Sequence, residues 1–423
     1  MQTEMGPQDS PRRGRIVLGA TFVTLGLVYG IWYSYSVFLV AFLREFGWSR
    51  SLAAGAFSVF VIFHGCMSPI SGWLVGRLGP RRLIQVGGCV LGCGLVLAAQ
   101  TSEWWHLYLA FGVITALGIG ASGWVPSVVL VQGWFPNRVG TALGVAAAGI
   151  GVGISGLVPF ARLMIDLISW RWAYRVLAAM IIGWTLLPAI FSLVRDPPSF
   201  EAAGGGPEMH VNRIGTPGEA YWTLAAALRD WHFWGLWIAF FLGNVPTQML
   251  LVHQVAYLVD HGLSLAVAST VGGFVGVVSI PAKVGLGLLS DRTNRETAYT
   301  LAFACLAASL GALVLAGQYP ASGLAYLYAA LIAVGYSATA PLVPAAVSDL
   351  FKGPGFSMIF GCLHAANAVG AAAGVWVGGW IFDSTGSYAA ALWLALGGTI
   401  ASTSLLWIVA PRHPHPPPAQ GKP

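Results

Sequence analysis

Apolar stretches of about 20 residues recur along nearly the whole chain, and that recurrence leaves few folds open. A bilayer core of ~30 Å takes about 20 helical residues to cross, and backbone inside it must satisfy its own hydrogen bonds. Twelve such spans can be drawn, at 16–42, 52–75, 82–99, 105–131, 140–165, 172–193, 232–259, 265–289, 297–317, 322–348, 356–381 and 388–410. A membrane barrel needs short alternating segments instead, and the sequence has none. The expected fold is an all-α membrane protein, with 12 transmembrane helices in two pseudo-symmetric six-helix bundles. Composition agrees: 57% of the residues are hydrophobic and 9% charged, against roughly 25% charged in soluble proteins. The 55 glycines suit helices that approach closely in lipid.

One long polar segment divides six spans from six. The expected organisation is a cytosolic amino-terminal tail (1–15), a first bundle (16–194), a cytosolic linker (195–230), a second bundle (231–410) and a disordered tail (411–423). With both termini cytosolic, fifteen of the 21 basic residues fall inside. Five (Arg44, Arg50, Arg162, Arg171 and Arg175) fall outside, and Lys283 lies within a span. The positive-inside rule favours that orientation. The net charge of +6 is therefore a topology signal and gives no reason to expect nucleic acid. Cys66, Cys89, Cys93, Cys305 and Cys362 all lie in spans, so no disulfide framework is expected.

Lys283 stands in a chargeless run from about 266 to 289, eight residues before Asp291, or about 12 Å along a helix. A cation there costs at least ~3 kcal/mol unless it faces water, a partner or a ligand. No carboxylate shares the run. The natural partner of such a cation in a cavity is an anion that comes and goes, although a lysine snorkelling to the interface is the plainer reading. His253, seven residues before Asp260, is a candidate proton carrier, or else a histidine bonded to a neighbouring helix. His64 and His364 are secondary candidates for the same chemistry, and among the polar residues in spans Tyr33, Tyr336 and Asn367 are the preferred cavity-lining groups. There is no P-loop, no nucleophile elbow and no metal-spaced His/Cys cluster, so neither an enzyme nor a cofactor or metal is expected.

The halves repeat. Phe42-Leu43-x3-Gly47-x-Ser49 recurs as Tyr257-Leu258-x3-Gly262-x-Ser264, and Gly72-x-Leu74-x2-Arg77 recurs as Gly287-x-Leu289-x2-Arg292, both at an offset of 215. A duplicated half is a common transporter plan, with its site at the interface of the repeats. At the same offset Lys283 stands opposite Ser68, so the expected site is asymmetric.

These motifs resemble the major facilitator superfamily. Gly72-Trp-Leu-Val-Gly-Arg77-Leu-Gly-Pro-Arg81-Arg82 resembles its loop motif after the second helix, and Gly287-Leu-Leu-Ser-Asp291-Arg292 resembles the second-half equivalent. The first copy has Gly76 where an acid is usual. Phe46-Gly-Trp-Ser-Arg50, Trp134-Phe-Pro-Asn-Arg138 and Asp383-Ser-Thr-Gly386-Ser-Tyr388 are similar to motifs of the monocarboxylate transporter and oxalate:formate antiporter families.

The resemblance implies secondary active transport of a small organic anion, a monocarboxylate above all, by alternating access with proton symport. Lys283 holds the position of the helix cation that binds carboxylate, Ser279 stands where some members carry an acid, and Asn367 stands near a second cation of the oxalate type. Substrate contact falls to Lys283, His253, Tyr33, Tyr336 and Asn367, and the proton to His253, Lys283 or the substrate's own carboxyl. Gating falls to Gly72, Arg77, Arg81, Arg82, Gly287, Asp291 and Arg292, while Arg295 reads as topology signal alone. The expected setting is a monomer in the plasma (bacterial inner) membrane. The competing readings are a carboxylate exchanger, a drug or metabolite efflux pump and a non-transporting nutrient sensor.

Overall fold

A computed structural model describes residues 9–48, 50–186, 221–319, 321–353 and 355–409. These are helical almost throughout, and no strand occurs among them. The helices are α1 (Asp9–Phe46), α2 (Arg50–Leu78), α3 (Pro80–Ala98), α4 (Trp104–Trp134), α5 (Val139–Leu167), α6 (Trp170–Leu186), α7 (Trp231–Asp260), α8 (Leu265–Arg292), α9 (Arg295–Gln318), α10 (Ser322–Leu350), α11 (Phe356–Thr385) and α12 (Ala389–Val409). Among the described residues, eleven helices are long and apolar enough to cross a membrane. The twelfth, α6, is followed only to Leu186, and the rest of the expected span to 193 lies outside the described residues. The five cysteines are free.

Two details differ from the sequence reading. Helix α1 begins at Asp9, inside the stretch expected as a tail. Residues 221–230, expected as the end of a linker, are packed: Trp222 is buried with its ring 5.0 Å from that of Phe351, and Thr223 caps a short turn at Leu224–Ala227. The remainder of the linker and the carboxy-terminal tail lie outside the described residues.

The described residues divide into two compact units, one drawn from Met1–Asn137 and Val145–Glu219, the other from Arg138–Gly144 and Ala220–Pro423. The first turns of α5 therefore belong to the second unit. In the first unit, aromatic rings fill the space between helices: Phe38 stacks on Tyr174 at 3.8 Å and Tyr35 on Phe111 at 4.4 Å. In the second unit, α7 and α11 approach backbone to backbone. A Cβ added at Gly374 would stand 2.2 Å from the Val245 carbonyl oxygen, and one at Gly370 would stand 2.5 Å from that of Phe241.

The 215-residue offset runs through the architecture. α2 starts at Arg50 and α8 at Leu265; α3 starts at Pro80 and α9 at Arg295. Gly47 and Gly262 follow α1 and α7 with φ of 64° and 94°, a left-handed backbone that glycine adopts without steric cost. Helices α4 and α10 are interrupted at Gly123 and Ala338, and the cause is Pro126 and Pro341, three residues on in each case. A proline has no N–H to give its i−4 carbonyl and its ring crowds that carbonyl. Ser122 and Ser337, the residues crowded here, both turn their hydroxyls back onto the i−4 carbonyl, at 2.8 and 2.6 Å.

Gly374→Ala should lower the detergent melting temperature, because overpacking costs about 1–3 kcal/mol. Gly311→Ala, with nothing within 4 Å of its added Cβ, should leave it unchanged or raise it. Thermal unfolding of both variants checks the α7–α11 contact.

Candidate functional site

Lys283 lies on α8 and is 2% exposed. Its ammonium donates to the Tyr336 hydroxyl at 3.0 Å and to Ser279 Oγ at 3.3 Å. Tyr336 donates to Ser279 Oγ at 3.2 Å, and Ser279 donates to the Gly276 carbonyl at 2.8 Å. Both hydroxyl protons are thus committed away from the lysine, and both oxygens turn their lone pairs toward it. The ammonium is 4.9 Å from the Tyr336 ring centroid, farther than from the hydroxyl, so it sits beyond the oxygen and not over the ring face. An ammonium has three donors, and the third meets no acceptor among the described residues. No carboxylate pairs with it among them either.

The break in α10 places Tyr336. The residue stands two positions before Ala338, where the helix is interrupted, and its neighbour Ser337 reaches the Ser279 carbonyl at 3.4 Å. Serine 279 lies one turn before Lys283 on the same face of α8, the i, i+4 relation. Helical spacing and the proline break therefore assemble three polar side chains from two helices.

The other expected site residues make contacts of their own. His253 Nε2–H donates to the Val375 carbonyl at 3.0 Å, and its Nδ1 shares a hydrogen bond with the Tyr388 hydroxyl at 3.3 Å. The Nε2–H assignment follows from the carbonyl, which can only accept, and the ring braces α7 against α11. Asn367 contributes its backbone carbonyl to Asn244 Nδ2. Tyr33 belongs to the first unit, 47% exposed, with its ring 6.1 Å from that of Trp32. Of the expected contacts, Lys283 and Tyr336 hydrogen-bond to one another within the second unit.

One turn-pair further along α8, Asp291 collects donors. Its carboxylate accepts the backbone N–H of Gly140 at 3.0 Å and of Thr141 at 2.7 Å, where α5 begins, and Arg295 Nη1 at 2.7 Å. A carboxylate at a helix amino terminus is favoured both by the free N–H groups and by the dipole. Arg295 also reaches Asp349 at 3.0 Å and Ser290. The reading of Arg295 as topology signal alone is thus corrected: it joins α8, α9 and α10. Asp349 and Thr141 were not singled out in the sequence. The available signal was that Asp349, Asp291 and Arg295 all sit at span ends on one side.

Of the other motif residues, Arg292 is exposed and makes no ion pair among the described residues. Arg77 lies over the Trp73 ring at 4.0 Å. Gly72 is buried on α2, and Arg81 and Arg82 open α3.

Gly140 and Gly144 let the start of α5 meet α8 without side chains between. A Cβ at Gly287 would stand 2.2 Å from the Gly140 oxygen, and one at Gly144 would stand 2.4 Å from the Lys283 carbonyl oxygen.

If Arg295 acts through Asp291, the cycle Arg295→Gln, Asp291→Asn and the double variant should show a coupling of about 0.5–3 kcal/mol in thermal unfolding. A residue serving topology alone would give none.

The sequence matches the family profile described as Major Facilitator Superfamily over residues 21–356. It is 26% identical to "Monocarboxylate transporter 13" of Bos taurus over 406 residues, covering 95% of this chain and 90% of that protein. It is 26% identical to "Monocarboxylate transporter 12" of Rattus norvegicus over 434 residues, covering 96% and 87%. The fold is similar to that of the MFS proton:xylose symporter XylE bound to 6-bromo-6-deoxy-D-glucose, with a TM-score of 0.72 at 14% identity over 94% of this chain and 96% of that one.

Proposed function

We propose, from the premise that the chain belongs to the Major Facilitator Superfamily, that it moves a small organic anion, a monocarboxylate, by alternating access with proton symport. It is a multi-pass membrane transporter of a small molecule and not an enzyme. The carboxylate rests on one observation: a buried ammonium, held by two hydroxyl oxygens, keeps one N–H unused and has no acidic partner among the described residues.

A carboxylate accepting that N–H neutralises the site and satisfies its remaining donor, which in a low-dielectric setting outweighs a neutral hydrogen bond. One charge suits one carboxylate, since Asn367 offers no second cation. The names of the relatives fit this reading. A lysine ammonium lacks the guanidinium fork, so the site recognises charge and one donor direction more than a planar carboxylate shape.

For proton coupling, the geometry favours Lys283 or the substrate carboxyl over His253, whose two ring nitrogens already hold partners on α11 and at Tyr388. The setting we propose is the plasma membrane of a bacterial-type cell, with both termini cytosolic and a monomer as the working unit. A second reading, carboxylate exchange, is favoured by Ser279: with a hydroxyl where an acid could stand, the empty site retains a full positive charge. A carrier that crosses only when loaded would exchange. Trans-stimulation of uptake without response to a pH gradient would select exchange, and the reverse would select symport.

Purified protein should gain ~2.7 kcal/mol of stability from a monocarboxylate at 100 times its dissociation constant. The gain should vanish in Lys283→Ala and survive in Lys283→Arg. A wild-type protein unmoved by every small carboxylate would remove the ground for an anion at Lys283. Tyr336→Phe, which deletes an acceptor of the ammonium, should shift the carboxylate affinity while leaving the fold intact, as read by the same assay.

A further inference from the structure

We propose that the transported anion is an elongated carboxylate that ends in a hydrogen-bond donor such as a hydroxyl, and that Gln254 on α7 receives that donor while Lys283 holds the carboxylate. The proposal rests on the reading of Lys283 as the anion site and adds the other end of the substrate.

Gln254 is 6% exposed. Its Nε2 donates to the Leu251 carbonyl at 3.0 Å, and because that carbonyl can only accept, the amide has one orientation. The side-chain oxygen is left over, buried with no hydrogen-bond partner among the described residues. A buried acceptor without a donor is unfavourable, and a ligand that arrives with an O–H or N–H removes the penalty. The adjacent residue, His253, turns to the Val375 carbonyl on α11, so Gln254 is free of that brace.

The Gln254 amide lies beside α8. A Cβ added at Gly272 would stand 3.9 Å from Gln254 Nε2 and 3.8 Å from Val255 Cγ2. Gly272, Gly276, Ser279 and Lys283 follow one another at spacings of four, three and four, which puts them on one face of the helix. The Lys283 ammonium reaches back to Ser279, so on that face the charge stands at the level of Ser279. From Gly272 to Ser279 is seven residues, or about 10 Å of helix. Between them Gly276 keeps the face open, since a Cβ there would have nothing within 4 Å among the described residues.

An acceptor that lacks a donor and a donor that lacks an acceptor therefore stand along one face of α8, within the second unit. Hydrogen bonds of about 3 Å at the two ends leave about 5 Å for the substrate, roughly a four- or five-carbon chain. A short acid whose hydroxyl adjoins its carboxylate reaches one end only.

The test measures affinities by thermal shift of the detergent-purified full chain, for pentanoate, propanoate and the terminal-hydroxyl form of each. Wild type should bind hydroxylated pentanoate about fivefold more tightly than pentanoate and show no such preference between the propanoates. Gln254→Met, similar in volume but without the amide oxygen, should bring hydroxylated pentanoate down to the affinity of pentanoate. Gly276→Val should weaken pentanoate more than propanoate, by about tenfold, a readout that stands if Gln254→Met does not fold. Gly311→Ala should keep the wild-type preference, and Lys283→Ala should lose all four acids. Equal affinity for the two pentanoates in wild type, a preference that survives in Gln254→Met, or a Gly276→Val that spares pentanoate would each overturn the proposal while leaving carboxylate binding at Lys283 intact. Acids that bind Lys283→Ala as they bind wild type would overturn the reading of Lys283 and the proposal with it, as would a wild type that binds none of them.

Discussion

A bilayer core offers no water to a stranded polar group, and each unsatisfied one costs several kcal/mol. That constraint shapes where many polar side chains in the spans go. Ser122 and Ser337 fold back onto their own helices, Asn244 reaches the Asn367 carbonyl, His253 spends both ring nitrogens, and Ser402 bonds Ala239 while meeting Tyr299 at 2.9 Å. In these places polarity is consumed by the fold. Lys283 is the exception within its cluster, since the hydroxyls around it are fully committed while its own third donor is not.

The same constraint explains what could be read from residues alone. Span positions follow from the length of apolar runs, and the duplication follows from Gly47 and Gly262, whose left-handed backbone ends α1 and α7 alike. Lys283 announces itself because a charge in an apolar run has no cheap explanation. Tyr336 was chosen as one polar group among several, and it proved to be the lysine's partner. Ser279 drew notice only as a missing acid, although it accepts from both. Polarity in a span says that a partner is required but not which one: the carbonyl that holds His253 is 122 residues away. Arg295 was misread for a related reason, since its bond to Asp349 spans 54 residues and leaves no local pattern. The packed segment at Trp222 was hidden among polar neighbours that resemble a linker.

The two halves share a scaffold and divide the chemistry. Proline breaks, serine back-bonds and left-handed glycines occur in both at the 215 offset. The charges do not. Lys283 faces Ser68 across the repeat, Asp291 faces Gly76, Arg295 faces Pro80 and Asp349 faces Trp134. The carboxylate that caps α5 therefore has no counterpart in the first half's motif, whose arginines are left to other partners. A duplicated framework can carry a one-sided site because backbone geometry and side-chain chemistry were free to diverge separately.

Lys283 also meets its surroundings twice. Its ammonium sits among the hydroxyls of Tyr336 and Ser279, while its carbonyl lies against Gly144, close enough that a Cβ there would stand at 2.4 Å. Between these two contacts runs only the lysine's own stem and Cα. A rotation of α8 that re-aims the charge also moves the carbonyl that lies against Gly144. One amino acid thus carries both the unspent donor and the backbone contact with the start of α5.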